Sequence, residues 1–423
     1  MGCWFLSQKK FLIVLLAVME LLQVVSGSTN SGDIEALKEF MRGFESSSVT
    51  PGSCLSSWDF AYDPCDASFS DHFTCGFRCD ATVAGYSRVT EISLDRAGYT
   101  GYLSFLSLPY LETLDVADNR LAGAIPISIG NLTSLRRLTL SNNFFSGEIP
   151  SSIAALPALE ELYLDNNLLQ GEIPADLGQL QSLKRLELQG NGLSGEFLDL
   201  GSLQNLLFLD ASNNLLSGAL PTNLPSSLVV LSMRNNSFEG GIPSNLRRLT
   251  FLQVVDLSHN KLSGAIAPFL FEHPSLEQLT LSYNSFISLE VPASYGLKSQ
   301  LIAIDIGYNK LQGLLPAFVA VMPRLSALSL GNNQFTGMIP SQYALKTVLP
   351  GPGTAPFMRL LLSGNYLFGP IPSPLMGMKS GSATVSLVDN CLLRCPQEFF
   401  FCQGGQQKSS SACRRFSPVI PLQ

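Results

Sequence analysis

The sequence predicts an α/β solenoid: a right-handed superhelix of short coils, with a concave parallel β-sheet along one side and disulfide-bound caps at both ends. Three observations predict it. Asparagine recurs at Asn119, Asn143, Asn167, Asn191, Asn214, Asn236, Asn260, Asn284, Asn309, Asn333, Asn365 and Asn390, with gaps of 24, 24, 24, 23, 22, 24, 24, 25, 24, 32 and 25 residues. Apolar residues stand five and three positions before each Asn, as Leu114 and Val116 precede Asn119. Eight cysteines flank the array, four on either side. A fixed period of this length marks stacked supersecondary units, which present a long surface rather than a closed pocket.

At the N-terminus, Lys9 and Lys10 precede an apolar run over 11–19 and the small residues Val25, Ser26 and Gly27. This reads as a signal peptide, 1–27. The run falls short of the ~20 residues that span a bilayer, and no second run of that length follows. Nor does the 414–423 tail read as a lipid-anchor signal. Cys3 leaves with the leader. The remaining Cys54, Cys65, Cys75, Cys79, Cys391, Cys395, Cys402 and Cys413 form an even set in an exported chain and read as disulfides. Each cluster of four allows three pairings, all open at this stage. Zinc would require Cys and His at ligand spacing, and only His72 lies near either cluster.

Residues 28–87 read as an N-terminal cap. A helix is expected over 33–44, where Ile34, Leu37, Phe40, Met41 and Phe44 share one face. Asp33 and Glu35 occupy its first turn, where negative charge suits the helix dipole. A Ser/Pro/Gly stretch over 46–53 ends it.

About thirteen repeats follow over 88–390, the first imperfect because Ala97 replaces the Asn. In a unit such as 135–141, alternation turns Leu138 and Leu140 inward and Arg137, Thr139 and Ser141 outward. Strands ~4.8 Å apart across about twelve gaps give a sheet roughly 55–60 Å long. The Asn amide carries donors and an acceptor, so a buried Asn can satisfy backbone groups of neighbouring coils. Gly123, Gly147, Gly171, Gly195, Gly218, Gly240, Gly264, Gly313, Gly337 and Gly369, four residues beyond their Asn, suit a positive-φ turn. The rhythm breaks twice. Ser288 replaces the Gly after Asn284, with Pro292 one place late. An insertion at 345–357 contains the loop 349–356, which reads as a tolerated surface loop. Residues 391–423 read as a C-terminal cysteine cap and short tail. Their Phe399, Phe400 and Phe401 are expected to cover the last coil, whose apolar cross-section would otherwise be exposed.

The unit Leu-x-x-Leu-x-Leu-x-x-Asn-x-Leu-x-Gly-x-Ile-Pro resembles the plant-specific class of leucine-rich repeats. Its Ile-Pro or Leu-Pro pair recurs at Pro126, Pro150, Pro174, Pro221, Pro243, Pro316, Pro340 and Pro372. The helix followed by Trp58, Cys65, Cys75 and Cys79 resembles the cap of plant leucine-rich-repeat receptors. The resemblance covers nearly the whole mature chain. It implies the ectodomain of a receptor-like protein, made as a secreted form, or a relative of the polygalacturonase inhibitors, which carry fewer repeats. The chain has no kinase sequence. The insertion is far smaller than the island domain that some receptors carry near this place.

Net charge is −7, and loss of Lys9, Lys10 and Glu20 with the leader takes it to −8. Nothing in that balance favours nucleic acid or an anionic membrane. Gly190, Gly192 and Gly195 match a dinucleotide fingerprint, but Asn191 and Gly195 already belong to the repeat and no helix is expected after them. Asp256, Ser258 and His259 suggest a hydrolase constellation, yet Asp256 and Ser258 read as ordinary outward strand positions. The chain is therefore read as non-enzymatic, without cofactor or metal.

Outward strand positions are the candidate binding face. Charged residues there are Glu91, Asp95, Asp115, Asp118, Arg137, Glu161, Asp165, Arg185 and Glu187. Aromatics are Tyr163, Phe208, Tyr283 and Tyr308, and Asp210, Arg234 and Asp256 complete the set. Aromatic and Arg side chains are the usual anchors of interfaces. Asn131-Leu-Thr133 and Asn235-Asn-Ser237 are glycosylation acceptors. The expectation is a secreted extracellular protein of the apoplast or cell wall. It would bind a peptide or protein through its concave face in cell-surface signalling or defence, with a membrane receptor kinase as a candidate partner. Inhibition of microbial wall-degrading enzymes and a structural role in the wall are the alternatives.

Overall fold

The computed structural model describes residues 28–66, 75–104 and 106–414. The expected signal peptide, His72 and the end of the tail lie outside them. Each coil contributes one three-residue strand to a 14-stranded sheet. Thirteen of these strands, from Glu91–Ser93 to Thr384–Ser386, run parallel; Gly76–Arg78 of the cap pairs antiparallel with the first. Leu114, Leu138, Leu162, Leu186 and Leu209, the middle residues of successive strands, are fully buried. Each such side chain contributes roughly 1.5–3 kcal/mol, so the core is one continuous column.

The Asn ladder binds coil to coil. Asn143 Nδ2 donates to Leu140 O at 3.2 Å and Ser141 O at 3.1 Å in its own coil, and to Val116 O at 3.0 Å in the coil before. Its Oδ1 accepts from Leu121 N at 3.0 Å. The pattern repeats to Asn390, which reaches back to Leu362 O at 3.0 Å and Leu367 N at 3.1 Å.

The sequence expectation missed a second layer of strands. Residues after each Asn form a nine-stranded sheet from Thr100–Gly101 to Ser285–Leu289, then a separate four-stranded sheet from Gln312–Leu314 to Cys391–Leu392. The repeat glycines lie within or at the ends of these strands rather than in turns: Gly123 sits inside Arg120–Ala124 with φ 84°. Beyond the strands, the prolines open 3-10 helices such as Ile127–Asn131 and Ser151–Ala155. The extra residue at the first break is Ile287. The register pairs Gly264 with Phe286 but Ala265 with Ser288, leaving Ile287 bulged and exposed.

The cap helix spans Ser31–Arg42, opened by Asn30, whose side chain accepts from Gly32 N. It begins two residues before the expected start and leaves Phe44 outside, because Gly43 turns the chain into a bridge between Phe44 and Gly101. Ala36, Leu37 and Phe40 are buried, whereas Ile34 and Met41 are only half-buried. Asp33 does more than complement the dipole. It is buried and takes Arg88 Nη2 at 2.7 Å, Arg88 Nε at 3.0 Å and Val89 N at 2.9 Å, tying the helix to the first repeat. Trp58 packs against Phe40 and Phe77.

The disulfides are Cys54–Cys75, Cys65–Cys79, Cys391–Cys413 and Cys395–Cys402. At the C-terminal end Phe401 is buried and its carbonyl accepts from Leu387 N at 2.9 Å, closing the last coil. The insertion is not wholly a loop. Ser341–Val348 is an α-helix in place of the usual 3-10 turn, and only 349–358 is irregular. Tyr343 and Lys346 fasten it: Tyr343 is buried, and the buried Lys346 Nζ donates to Met322 O at 2.7 Å over the Phe357 ring. Burial lowers the Lys346 ammonium to about 8. Among the described residues no helix is long and apolar enough to cross a membrane.

Candidate functional site

The strand register lays the outward residues in rows. Arg137, Glu161, Arg185 and Phe208 are direct neighbours along one row; Thr139, Tyr163, Glu187 and Asp210 form the next. Opposite charges therefore alternate across coils, and cross-strand pairing is favourable. Arg137 pairs with Glu161, and Tyr163 Oη donates to Glu161 at 3.1 Å. Arg185 bonds Glu187 at 2.5 Å and lies 3.8 Å from the Phe208 ring centroid and 6.0 Å from that of Tyr163. Burial, and then the neighbouring Glu161 carboxylate, raises the Tyr163 phenol above its ordinary value. Six sequence-predicted residues thus form one interlocked, half-open cluster.

Two other predicted positions are partly occupied by the fold. Asp210 accepts from Ser212 N at 2.9 Å and Asp256 from Ser258 N at 3.0 Å, each closing the turn after its strand. Burial chiefly raises the Asp210 carboxyl, with Glu187 and Asp256 adding like charge. Ser258 Oγ donates to Asp256 at 2.6 Å.

Alternation does not continue past the strand ends, and several outward expectations fail there. Ser141, Asp165 and Ser258 are buried; Ser141 donates to Asp165 across the coil boundary. Arg234 lies two residues beyond Val230–Ser232 and is exposed, its own N–H bonded to Ser212 Oγ at 3.2 Å. Tyr283 and Tyr308 each lie three residues beyond their strands, Gln278–Thr280 and Ala303–Asp305. They stand on the rim, in the turn, with φ of 57° and 52°.

There they join a residue that the binding-face expectation missed. His259 stacks on Tyr283 at 4.1 Å and 13°, and Tyr283 on Tyr308 at 4.0 Å and 9°. The position before each ladder Asn is left-handed in every one of these coils. Elsewhere it holds Asp118, Asn142, Asn166, Gly190, Asn213, Asn235, Asn332, Gly364 or Asp389. Those residue types tolerate this backbone, as His does, whereas Tyr seldom does. Reading that column alone would have exposed the three aromatics.

Both glycosylation acceptors, Asn131 and Asn235, are exposed; Asn235 Nδ2 reaches Asn213 Oδ1 at 3.0 Å. Of the supposed dinucleotide motif, Gly192 and Gly195 lie in Gly192–Glu196, a strand of the second sheet, and Gly190 lies in the turn before it. Cys54, Cys75 and Asp95 lie close enough to hold a metal, but the sulfurs share a disulfide and Asp95 is bonded to Tyr99 Oη at 2.6 Å.

The family described as Leucine Rich Repeat matches residues 110–132, 134–156, 158–180, 227–249 and 251–272. No curated protein matches the chain. Among solved structures, one of PEPR1-AtPEP1 is 28% identical with a TM-score of 0.72, covering 89% of this chain and 51% of that one. A TDR receptor is 28% identical with a TM-score of 0.63, covering 72% and 52%. The Arabidopsis receptor kinase HAESA ectodomain, in complex with an IDA peptide hormone ligand, is 29% identical with a TM-score of 0.55, covering 67% and 55%. The chain spans about half the length of these structures. Five of its coils match the leucine-rich-repeat family, and its solenoid fold and end disulfides are similar to those of the plant receptor ectodomains.

Proposed function

We propose that this chain is a secreted recognition protein of the plant cell surface, binding an extended peptide or a protein loop on its concave sheet. The observation that carries this reading is the cluster of Arg137, Glu161, Tyr163, Arg185, Glu187 and Phe208. It combines guanidinium groups, carboxylates and rings on an open sheet whose strands supply nothing else at those positions. Aromatic and Arg anchors with polar neighbours are the composition of interface hot spots. The likeness to HAESA with its peptide hormone and to PEPR1-AtPEP1 supports a peptide ligand. The four disulfides and the leader-like N-terminus support an oxidising, extracellular setting such as the apoplast.

Signalling or defence follows if the bound complex engages a membrane receptor kinase. The test is pull-down of apoplastic peptides on the immobilised chain, followed by titration of each captured peptide. Arg185→Ala with Phe208→Ala should weaken binding at least about tenfold while the thermal melt stays cooperative. Unchanged affinity would remove the concave cluster from the site. Loss of fungal polygalacturonase activity on addition of the chain, with no peptide captured, would favour the inhibitor reading instead.

A further inference from the structure

We propose that Tyr283 and Tyr308 are a site of oxidative cross-linking, joined ring to ring as a dityrosine that staples two consecutive coils. Three independent observations meet at this pair. First, the rings are stacked at 4.0 Å and 9°, and the side chains are 42% and 48% exposed. That spacing is van der Waals contact between the two rings, and solvent leaves them free to turn their ortho positions together. Second, both backbones are left-handed at residues that seldom accept it, so the fold holds the rings there at a cost. Third, the junction they bridge is the one where the second sheet is interrupted, between Ser285–Leu289 and Gln312–Leu314. Across it the second layer is linked by Lys310 N to Phe286 O at 2.9 Å, where other junctions carry paired strands.

The chemistry balances with a peroxidase-type one-electron oxidant and hydrogen peroxide. Each phenol loses one electron and its hydroxyl proton. The two phenoxyl radicals couple through a new bond between ortho carbons. Each ortho hydrogen then shifts to its phenolic oxygen as the ring regains aromaticity. The protein loses two hydrogens in all, and one peroxide becomes two waters. Well-oriented intramolecular partners have effective molarities of about 10⁵ M or more, so coupling within the pair outruns coupling between dilute chains. Exposure alone would favour Tyr62 and Tyr102, which are 77% and 57% exposed.

The experiment treats the dilute full-length chain with a plant-type peroxidase and limiting hydrogen peroxide. Expected are a monomer on a denaturing gel, dityrosine fluorescence, an intact mass reduced by two hydrogens, and a peptide bond map joining Tyr283 to Tyr308. Fragmentation must place the bond on Tyr283 rather than Tyr295, since no Lys or Arg separates those two. Tyr308→Phe and Tyr283→Phe, which keep a ring in the stack, should each lower the intramolecular yield at least about tenfold. Intermolecular dimers alone, no product, a bond at another tyrosine or at His259, or an undiminished yield in either Phe variant overturns the proposal.

Discussion

The cluster around Arg185 and the aromatic rim around Tyr283 occupy the same solenoid, yet they are built in opposite ways. Arg137, Glu161, Arg185 and Phe208 sit on regular strand positions, where any outward side chain is sterically welcome. Their affinity for one another comes from paired charges and rings. His259, Tyr283 and Tyr308 sit where the other coils place Asn, Asp or Gly, beside a bulged strand and a broken second sheet. The first region uses the repeat; the second departs from it. A departure maintained against backbone preference in two consecutive coils is a stronger pointer to function than a charged residue on a strand that would be polar anyway.

The largest expected effect tests what the two regions share. Asn167→Ala takes the Asn acceptor from Phe145 N and one of two donors from each of Leu140 O, Leu164 O and Asp165 O, and Asn284→Ala does the same to Leu262 N and to Leu257 O, Leu281 O and Ser282 O. Each should lower stability by about 3 kcal/mol in chemical denaturation, since one buried N–H loses its side-chain acceptor and three carbonyls each lose one donor. A clearly smaller loss at Asn284 would mean that the junction is already loosened by the break beside it.

Next comes the coupling within the strand cluster. A double-mutant cycle on Arg185→Ala and Phe208→Ala should give about 0.5–1 kcal/mol, the range for a partly exposed cation over a ring. A value near zero would reduce the cluster to independent side chains. Tyr283→Asn should leave stability within about 1 kcal/mol of the parent. It forfeits the stack, about 0.5–1.5 kcal/mol, but removes left-handed strain of about 1–2 kcal/mol. A large loss would show that the rings hold up the rim and would weaken the contrast.

The smallest effect depends on pH. The folded Asp210 carboxyl lies above its ordinary 3.8, first because of burial. The folded chain therefore binds that proton more tightly than the unfolded one, and the contribution to stability falls as pH rises from there through the folded value. Asp210→Asn keeps an oxygen for Ser212 and should gain on the parent across that window, then hold a constant lead above it. Denaturation midpoints between acidic and neutral pH would show this, and parallel curves would contradict it.

The parallel sheet and the ladder were legible because both rest on the period: Asn143 and its eleven counterparts can serve only if every coil repeats the same geometry. The second sheet was not, since its outward residues, such as Ala122, Ser146 and Gln170, follow no apolar alternation and its glycines imitate turns. Asp210 and Asp256 read as free charges because nothing local reveals that a carboxylate will accept the N–H two residues on. Tyr283 and Tyr308 were picked out but placed on the wrong surface, because strand alternation was extended past Thr280 and Asp305. Which cysteines join was beyond reach, because four in one cap satisfy any of three pairings until the chain is folded.

The strict register of the first sheet sets a vernier for anything laid along it. Coils advance ~4.8 Å at a time, while a ligand in the polyproline II conformation advances about 3.1 Å per residue and turns once every three residues. Three ligand residues therefore match two coils to within a fraction of an ångström. A peptide running along the axis meets the same column of this protein with every third side chain, at every second coil. Arg137 and Arg185 are two coils apart, and so are Glu161 and Phe208. Such a face reads its ligand with a stride of three, and inserting a single residue into the ligand would throw all later contacts out of phase.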